Sequence, residues 1–237
     1  MSNQEPVRIS KLLSAHGIAS RREAENMIVS GRVTVGGEKA KLGQRVVPES
    51  DEVAVDGVPI VEKCTPAYIM LNKPAGYLTT VSDDRGRKTV MSLVKGAGIG
   101  IYPIGRLDMD TEGLLLFTND GAFANNIMHP SNNRTKVYEV VVSGYTDSAL
   151  IRLSSPMQID GHPVRADNVK YIGQTRGGSA ISISIHEGRN RQIRKMCAQC
   201  GVNPISLKRV AIGPLELGNL PLGEWRHLTV KEVGFFG

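Results

Sequence analysis

Gly105-Arg106-Leu107-Asp108-Met109-Asp110-Thr111-Glu112-Gly113-Leu114-Leu115-Leu116-Phe117 sets carboxylates directly against an uninterrupted apolar run. Leu114 to Phe117 predict a buried strand, and the residues before it a turn that presents its polar groups at the strand's end. A carboxylate beside such a wall is poorly solvated and stays ionised only with a cation near it, which is how a protein prepares a reactive aspartate. The same residue types also fit a tight turn in which Asp108 and Asp110 are merely solvated or capping. Two rival chemistries fail on spacing. Asp108, Asp110, Glu112 and Gly113 match the first half of a calcium loop, but its last chelating position falls on Asn119 where a bidentate Glu is needed, and Leu-Leu-Leu-Phe offers no hard oxygen ligands. An aspartyl-nucleophile phosphatase turn needs threonine where Glu112 stands, and Thr111 comes one position early.

Gly-Arg-Leu-Asp, two residues, Thr, one residue and Gly-Leu-Leu-Leu, followed by Thr118-Asn119-Asp120-Gly121, resembles the signature of RNA pseudouridine synthases, in particular the RsuA/RluB branch that modifies ribosomal RNA. The resemblance implies that Asp108 is the catalytic carboxylate and that Arg106 helps to hold a flipped nucleotide. Glu112 departs from the pattern, since the family usually has a small residue such as Ser there, and this bears on packing and charge beside the site. Ile101-Tyr-Pro-Ile-Gly-Arg-Leu-Asp and Asn126-Ile-Met-His-Pro130 resemble the large-subunit enzymes more closely.

Upstream, residues 7–62 read as a compact unit. Ile9, Leu12 and Leu13 share a helical face that Gly17 ends. Ser20 and Glu23 have capping-box spacing ahead of a second helix with Ala24, Met27 and Ile28 on its apolar side, stopped by Gly31. Val33 to Val35 and Val53 to Val55 predict short strands, with Gly36-Gly37 and Asp56-Gly57 as hairpin turns. Positions 1 to 47 hold eight Lys/Arg against four acidic residues. Arg21 and Arg22 lie in the first turn of the second helix, against the macrodipole, where phosphate would be bound jointly by side chains and free N–H groups. An ordinary solvated basic face has the same composition. Arg-Ile-Ser-Lys-Leu-Leu, Gly-Ile-Ala-Ser-Arg-Arg-Glu-Ala-Glu and Gly-Arg-Val-Thr-Val-Gly, however, resemble the RNA-binding module of ribosomal protein S-four. That resemblance implies readout of RNA shape and phosphates, with Arg8, Lys11, Arg21, Arg22 and Arg32 as contacts.

Val-Glu-Lys-Cys-Thr-Pro around residues 60–67 reads as a linker. A second domain, 67–237, opens with Tyr68-Ile-Met-Leu71 as a buried strand and Asn72-Lys73-Pro74-Ala75-Gly76 as a turn. The polar loop Asp83 to Lys88 carries three cations, equally consistent with an RNA contact and with a solvated loop. Past the signature, Phe123, Ala124, Ile127 and Met128 predict a short helix stopped near Pro130. Lys136 to Val142 predict a strand with Tyr138 on the face of Val140 and Val142. On residue type that tyrosine is core; the branch's Lys-x-Tyr motif instead implies a ring stacked on the target uracil, with Lys136 beside it. Ile181, Ile183 and Ile185 alternate with serines as a half-buried strand. The helix after it turns Ile193, Met196, Cys197 and Cys200 inward, with Arg191, Arg194 and Lys195 on a common outer side. Gly-Arg-Asn-Arg-Gln-Ile-Arg-Lys-Met resembles a third motif of the branch, which implies RNA contacts at Arg189 and Arg191 and an Arg194 that touches the catalytic carboxylate. Positions 185 to 209 hold six Lys/Arg and one acidic residue. Cys197-x-x-Cys200 has no second pair, and Cys64 lies in another segment, so zinc or redox work is set aside in favour of packing. His186 beside Glu187 lacks a nucleophile to serve and is assigned to local hydrogen bonding or a phosphate contact.

The 237 residues, 41% hydrophobic, suffice for a real core, and a net charge of +6 suits a polyanionic partner. Three cysteines argue for a reducing cytosol, and no signal core or bilayer-length apolar stretch is apparent. The expectation is an α+β protein: a helix-helix-strand RNA-binding module, 7–62, before a larger domain with a mixed, mostly antiparallel sheet and flanking helices. The family resemblance implies a cytoplasmic, cofactor-free and metal-free monomer that isomerises a uridine of ribosomal RNA, with Asp108, Tyr138 and Arg194 as catalytic residues. Whether Asp108 attacks or removes a ribose proton is open, since both need the same carboxylate. The alternative is a non-catalytic RNA-binding or ribosome-assembly protein that keeps the fold.

Overall fold

The computed structural model describes residues 5–48, 50–60 and 65–237. Most of the expected linker, with Cys64, therefore lies outside the described residues. The chain divides into two units, the first made of residues up to Tyr68 with Gly96–Tyr102 and Thr118–Gly121, the second of Ile69–Lys95, Pro103–Phe117 and Ala122–Gly237.

The first unit runs β1 (Val7–Arg8), α1 (Ile9–Ala15), α2 (Arg21–Val29), β2 (Val33–Val35), β3 (Glu38–Lys39), β4 (Arg45–Val46), β5 (Val53–Val55) and β6 (Val58–Pro59). Its core joins Ile9, Leu12 and Leu13 of α1 to Ala24, Met27 and Ile28 of α2 and to Val33, Ala40, Val46 and Val53. Ser20 caps α2 by accepting from Glu23 N at 3.3 Å. Both hairpin turns carry two successive positive φ values, Gly36-Gly37 at 57° and 83° and Asp56-Gly57 at 49° and 79°, as the twist of two-residue hairpins demands.

The second unit continues with β7 (Tyr68–Lys73), β8 (Tyr102–Ile104), β9 (Glu112–Thr118), α3 (Gly121–Met128), β10 (Lys136–Ser143), α4 (Asp147–Ser154), β11 (Met157–Ile159), β12 (His162–Val164), β13 (Asn168–Thr175), β14 (Gly178–Ile185), α5 (Gln192–Gln199), β15 (Asn203–Ile212), β16 (Leu215–Glu216), β17 (Trp225–His227) and α6 (Val230–Gly234). Its sheet has the order β13-β14-β10-β15-β9-β7-β17, with β16 on β15 and β8 on β9. β10 is antiparallel to both β14 and β15, whereas β15 runs parallel to β9. The mixed, mostly antiparallel sheet expected from sequence is thus present.

Position in the sheet explains the sequence pattern. Leu114 to Phe117 are fully buried, because central β9 is covered on both faces and a doubly covered strand reads as a continuous apolar run. Each such side chain contributes about 1.5–3 kcal/mol. β10 and β14 alternate instead, with Tyr138, Val140, Val142, Ile181, Ile183 and Ile185 inward. Two sequence expectations change. Asn72 and Lys73 belong to β7 rather than to a turn, and both are buried. Met128, at the open end of α3, is 49% exposed rather than core.

Candidate active site

The loop Gly105–Thr111 joins β8 to β9, and almost every carbonyl around Asp108 is tied down. Thr79 Oγ1 donates to Leu107 O at 2.7 Å, Thr111 N to Asp108 O at 3.1 Å, and Gly76 N to Met109 O at 2.8 Å. Beneath the loop, Lys73 Nζ donates to Thr111 O at 2.8 Å and to Asp108 O and Pro74 O, each at 3.1 Å. Lys73 has no solvent exposure. Burial pushes its ammonium down to about 8, against the pull of Glu112, Asp110 and Asp108 in the other direction. Read as a turn residue, Lys73 escaped sequence reasoning; the available signal was a lysine continuing an apolar strand without a break.

Above the loop lies a cavity of about 550 Å³ lined by Asp108, Arg106, Lys136, Tyr138, Arg189 and Arg191 among others, a size that takes a nucleoside. Six sequence-predicted residues are therefore brought together. Arg194 is not in the lining. Its Nη2 stands 3.2 Å from Asp110 Oδ2 and 3.1 Å from the Asp110 carbonyl, so the expected contact with the Asp108 carboxylate is replaced by one with Asp110. Among the described residues the cation nearest the Asp108 carboxylate is Arg191, whose Nη1 is 3.8 Å from Oδ2 while its fork also grips both carboxylate oxygens of Asp110 at 3.2 Å. Burial raises the Asp110 carboxyl, but the Arg191 hydrogen bonds and the charges of Arg194 and Arg191 outweigh it, and the net is below the usual carboxylate value.

The expected common side of Arg191, Arg194 and Lys195 also fails. Arg191 precedes α5 with φ 50°, outside the helix, which swings its side chain to the loop, and Lys195 pairs with Asp160 instead. His186 and Glu187 serve different partners: His186 Nδ1 meets Asp167 Oδ1 at 2.6 Å, and Glu187 accepts from Arg189 and Gln192. Lys136 Nζ donates to His186 O at 2.7 Å. Burial, then repulsion by Arg209, lowers its ammonium, with Asp167 opposing.

Arg209 was also missed. Ladder register sets Lys136 opposite Ile212 and Val137 opposite Ala211, then slips so that Tyr138 faces Arg209. The bulge leaves Val210 over, and beyond it the regular register sets Arg209 on the inner face with Leu207, beside Tyr138. The available signal was alternation, which puts Arg209 on one face with Leu207 and Ala211. Behind it, Gly113 of β9 has φ 103°, and a Cβ there would come within 2.2 Å of Arg209 O. Only glycine lets the two strands approach so closely.

Cys197 and Cys200 are free and buried. Burial pushes the Cys197 thiol up to about 12 and raises that of Cys200, which suits packing rather than thiolate chemistry. Among the described residues no group of three or more His, Cys, Asp or Glu is placed to hold a metal ion, and no helix is long and apolar enough to cross a membrane. In the first unit Arg8, Lys11, Arg21 and Arg22 are exposed. Arg32 instead forks onto Asp56, Nε lying 3.0 Å from Oδ1, and its charge is partly spent there.

The chain is similar to known proteins over nearly its whole length. Residues 67–199 match the family described as RNA pseudouridylate synthase, and residues 7–53 match the S4 domain. An uncharacterized RNA pseudouridine synthase of Aquifex aeolicus is 42% identical over 230 residues, covering 96% of this chain and 92% of its own. Ribosomal large subunit pseudouridine synthase B of Bacillus subtilis is 41% identical over 230 residues, with 95% and 93% covered. A crystal structure of a pseudouridylate synthase superposes with TM-score 0.66 at 26% identity, covering 98% of this chain and all of the other.

Proposed function

The chain belongs to the RNA pseudouridylate synthase family, isomerases that convert uridine in RNA to pseudouridine, and on that premise we propose that its substrate is a uridine of large-subunit ribosomal RNA. The observation that carries this reading is one cavity holding a carboxylate, Asp108, an aromatic ring, Tyr138, and a rim of cations, Arg106, Arg189 and Arg191. Isomerisation breaks the bond from the ribose to N1 and joins the ribose to C5, the proton lost from C5 being balanced by one gained at N1. There is no net redox change, so no redox cofactor enters.

The base must leave its stack to be turned, and Tyr138 offers the face on which it rests. Asp108 is the reacting carboxylate at the ribose, as nucleophile or as base. Arg191 is the counter-charge nearest to it, and Arg194 positions the loop through Asp110. Rim cations hold phosphates, which fixes register rather than sequence. Residues 7–62 dock the RNA through Arg8, Lys11, Arg21 and Arg22, while 67–237 form the catalytic domain. We place the protein in the cytoplasm as a monomer; two free, buried cysteines suit a reducing compartment. The large-subunit substrate is supported by the name of the Bacillus subtilis relative.

The test is incubation of the purified chain with unmodified large- and small-subunit ribosomal RNA, followed by mapping of pseudouridine. A single modified position in the large-subunit RNA is expected. Modification of the small-subunit RNA alone would overturn the substrate, and no pseudouridine in either would overturn the function.

A further inference from the structure

Arg209 is the most deeply set cation of the cavity wall. It is 4% exposed yet part of the lining. Its Nε donates to Leu114 O at 2.8 Å, its Nη2 is sealed without an acceptor, and it takes part in none of the ion pairs among the described residues. A guanidinium withdrawn from water with unused N–H groups is costly, and such a group in a native cavity calls for an acceptor that arrives with the ligand.

Its place says which part of the ligand. The ladder register makes Arg209 the direct cross-strand neighbour of Tyr138, and both are buried on the inner face, where opposed side chains start only about 5 Å apart. The exposed cations Arg189 and Arg191, at 41% and 44%, hold the rim, where a phosphate keeps most of its hydration. The floor is left to the base. We propose that Arg209 recognises the flipped uracil through a ring carbonyl oxygen, so that Tyr138 takes the face of the base and Arg209 its edge; this rests on the cavity being the uridine site proposed above. Donors in a guanidinium fork are geometrically fixed, and here the fork is pinned to β9 at Leu114, the strand that carries the Asp108 loop. A donor opposite position 4 would also separate uracil, with oxygen there, from cytosine, with an amino group.

The experiment compares single-turnover rates of the wild-type chain, Arg209→Met and Arg209→Lys on ribosomal RNA whose mapped target carries uridine, 2-thiouridine, 4-thiouridine, or uridine with a methylphosphonate on its 5′ side. Sulfur is the weaker acceptor. With uridine, Arg209→Met should be slower on the order of ten- to a hundredfold. One thio substitution should slow the wild type and add nothing in Arg209→Met. A sulfur penalty equal in both proteins overturns the proposal, and so does coupling to the methylphosphonate alone, which would assign Arg209 to phosphate. If circular dichroism shows Arg209→Met unfolded, Arg209→Lys is read in its place, since it keeps the charge but cannot hold Leu114 and the base together. A wild-type chain that makes no pseudouridine removes the premise and the proposal with it, whereas an active wild type without coupling removes the proposal alone.

Discussion

Arg191 and Asp108 approach with Nη1 3.8 Å from Oδ2, close enough for charge to act and too far for a hydrogen bond. The carboxylate is 31% exposed on its side chain, so it keeps free lone pairs toward the cavity. The firm hydrogen bonds of Arg191 go to Asp110, which leaves the Asp108 side chain uncommitted.

Asp108→Asn should therefore keep the fold and RNA affinity and lose pseudouridine formation. The amide preserves volume and hydrogen bonding but can neither attack nor accept a proton as a carboxylate does. Circular dichroism, RNA binding and a single-turnover assay test this, and clear turnover by the variant would sink the assignment.

Arg194→Met should lower stability by only about 1 kcal/mol or less, because its partner Asp110 is 47% exposed and the pair is screened. The larger effect should be on rate, through displacement of the loop. If the Asp110 carboxylate carries the effect of Arg194, the rate loss shrinks in an Asp110→Asn background, where only the bond to the Asp110 carbonyl is left. An undiminished loss there would mean that the carboxylate contact carries none of it.

Lys73 titrates at about 8 in the folded chain and near 10.4 when unfolded. Between these values the unfolded state binds more protons, so stability rises with pH across that window. Below about pH 8 both states are protonated and the burial penalty stays constant, on the order of 3 kcal/mol. Lys73→Met should abolish the rise, so that from about pH 7.5 to 10 the difference in unfolding free energy moves steadily in favour of the wild type. The variant also strips donors from Asp108 O and Thr111 O, and kcat should fall about ten- to a hundredfold as the loop loosens. A pH-independent stability difference would refute this account of Lys73.

Replacing Arg21 and Arg22 together by Gln should weaken RNA binding at low salt and reduce the slope of log affinity against log salt by about 1 for each phosphate no longer neutralised. Arg32→Gln should do much less, since Asp56 already compensates that charge. Titrations at about 50 and 200 mM salt separate the two cases; equal effects would place Arg32 on the RNA.

Periodicity, caps and glycines made α1, α2, β2 and β5 and both hairpin turns of the first unit legible, because their packing is local; β1, β3, β4 and β6, and the two later segments that join the unit, were not. The strand at Leu114–Phe117 and the alternation of β14 were equally visible. What escaped depends on pairing between distant segments. Lys73 acts on carbonyls 35 to 38 positions away, and nothing in Asn-Lys-Pro announces them. Arg209 shares the inner face of β15 with Leu207 and Ala211, but its pairing with Tyr138 comes from a register between distant strands, which no single strand encodes. The resemblance attached Arg194 to a carboxylate, but two aspartates lie two positions apart, and only the geometry of the loop distributes Arg191 and Arg194 between them.

The strand order carries a consequence for biosynthesis. β15 lies between β10 and β9, so its ten residues, Asn203–Ile212, must emerge before the sheet can close, and β17 and the fully buried Phe236 come later still. A nascent chain that already displays Asp108 and Tyr138 thus lacks the wall that joins them, and late, non-local closure of this kind is slow. The pocket closes only once β15 has been made, and a chain cut short before then would carry the whole signature with nothing to close the pocket around it.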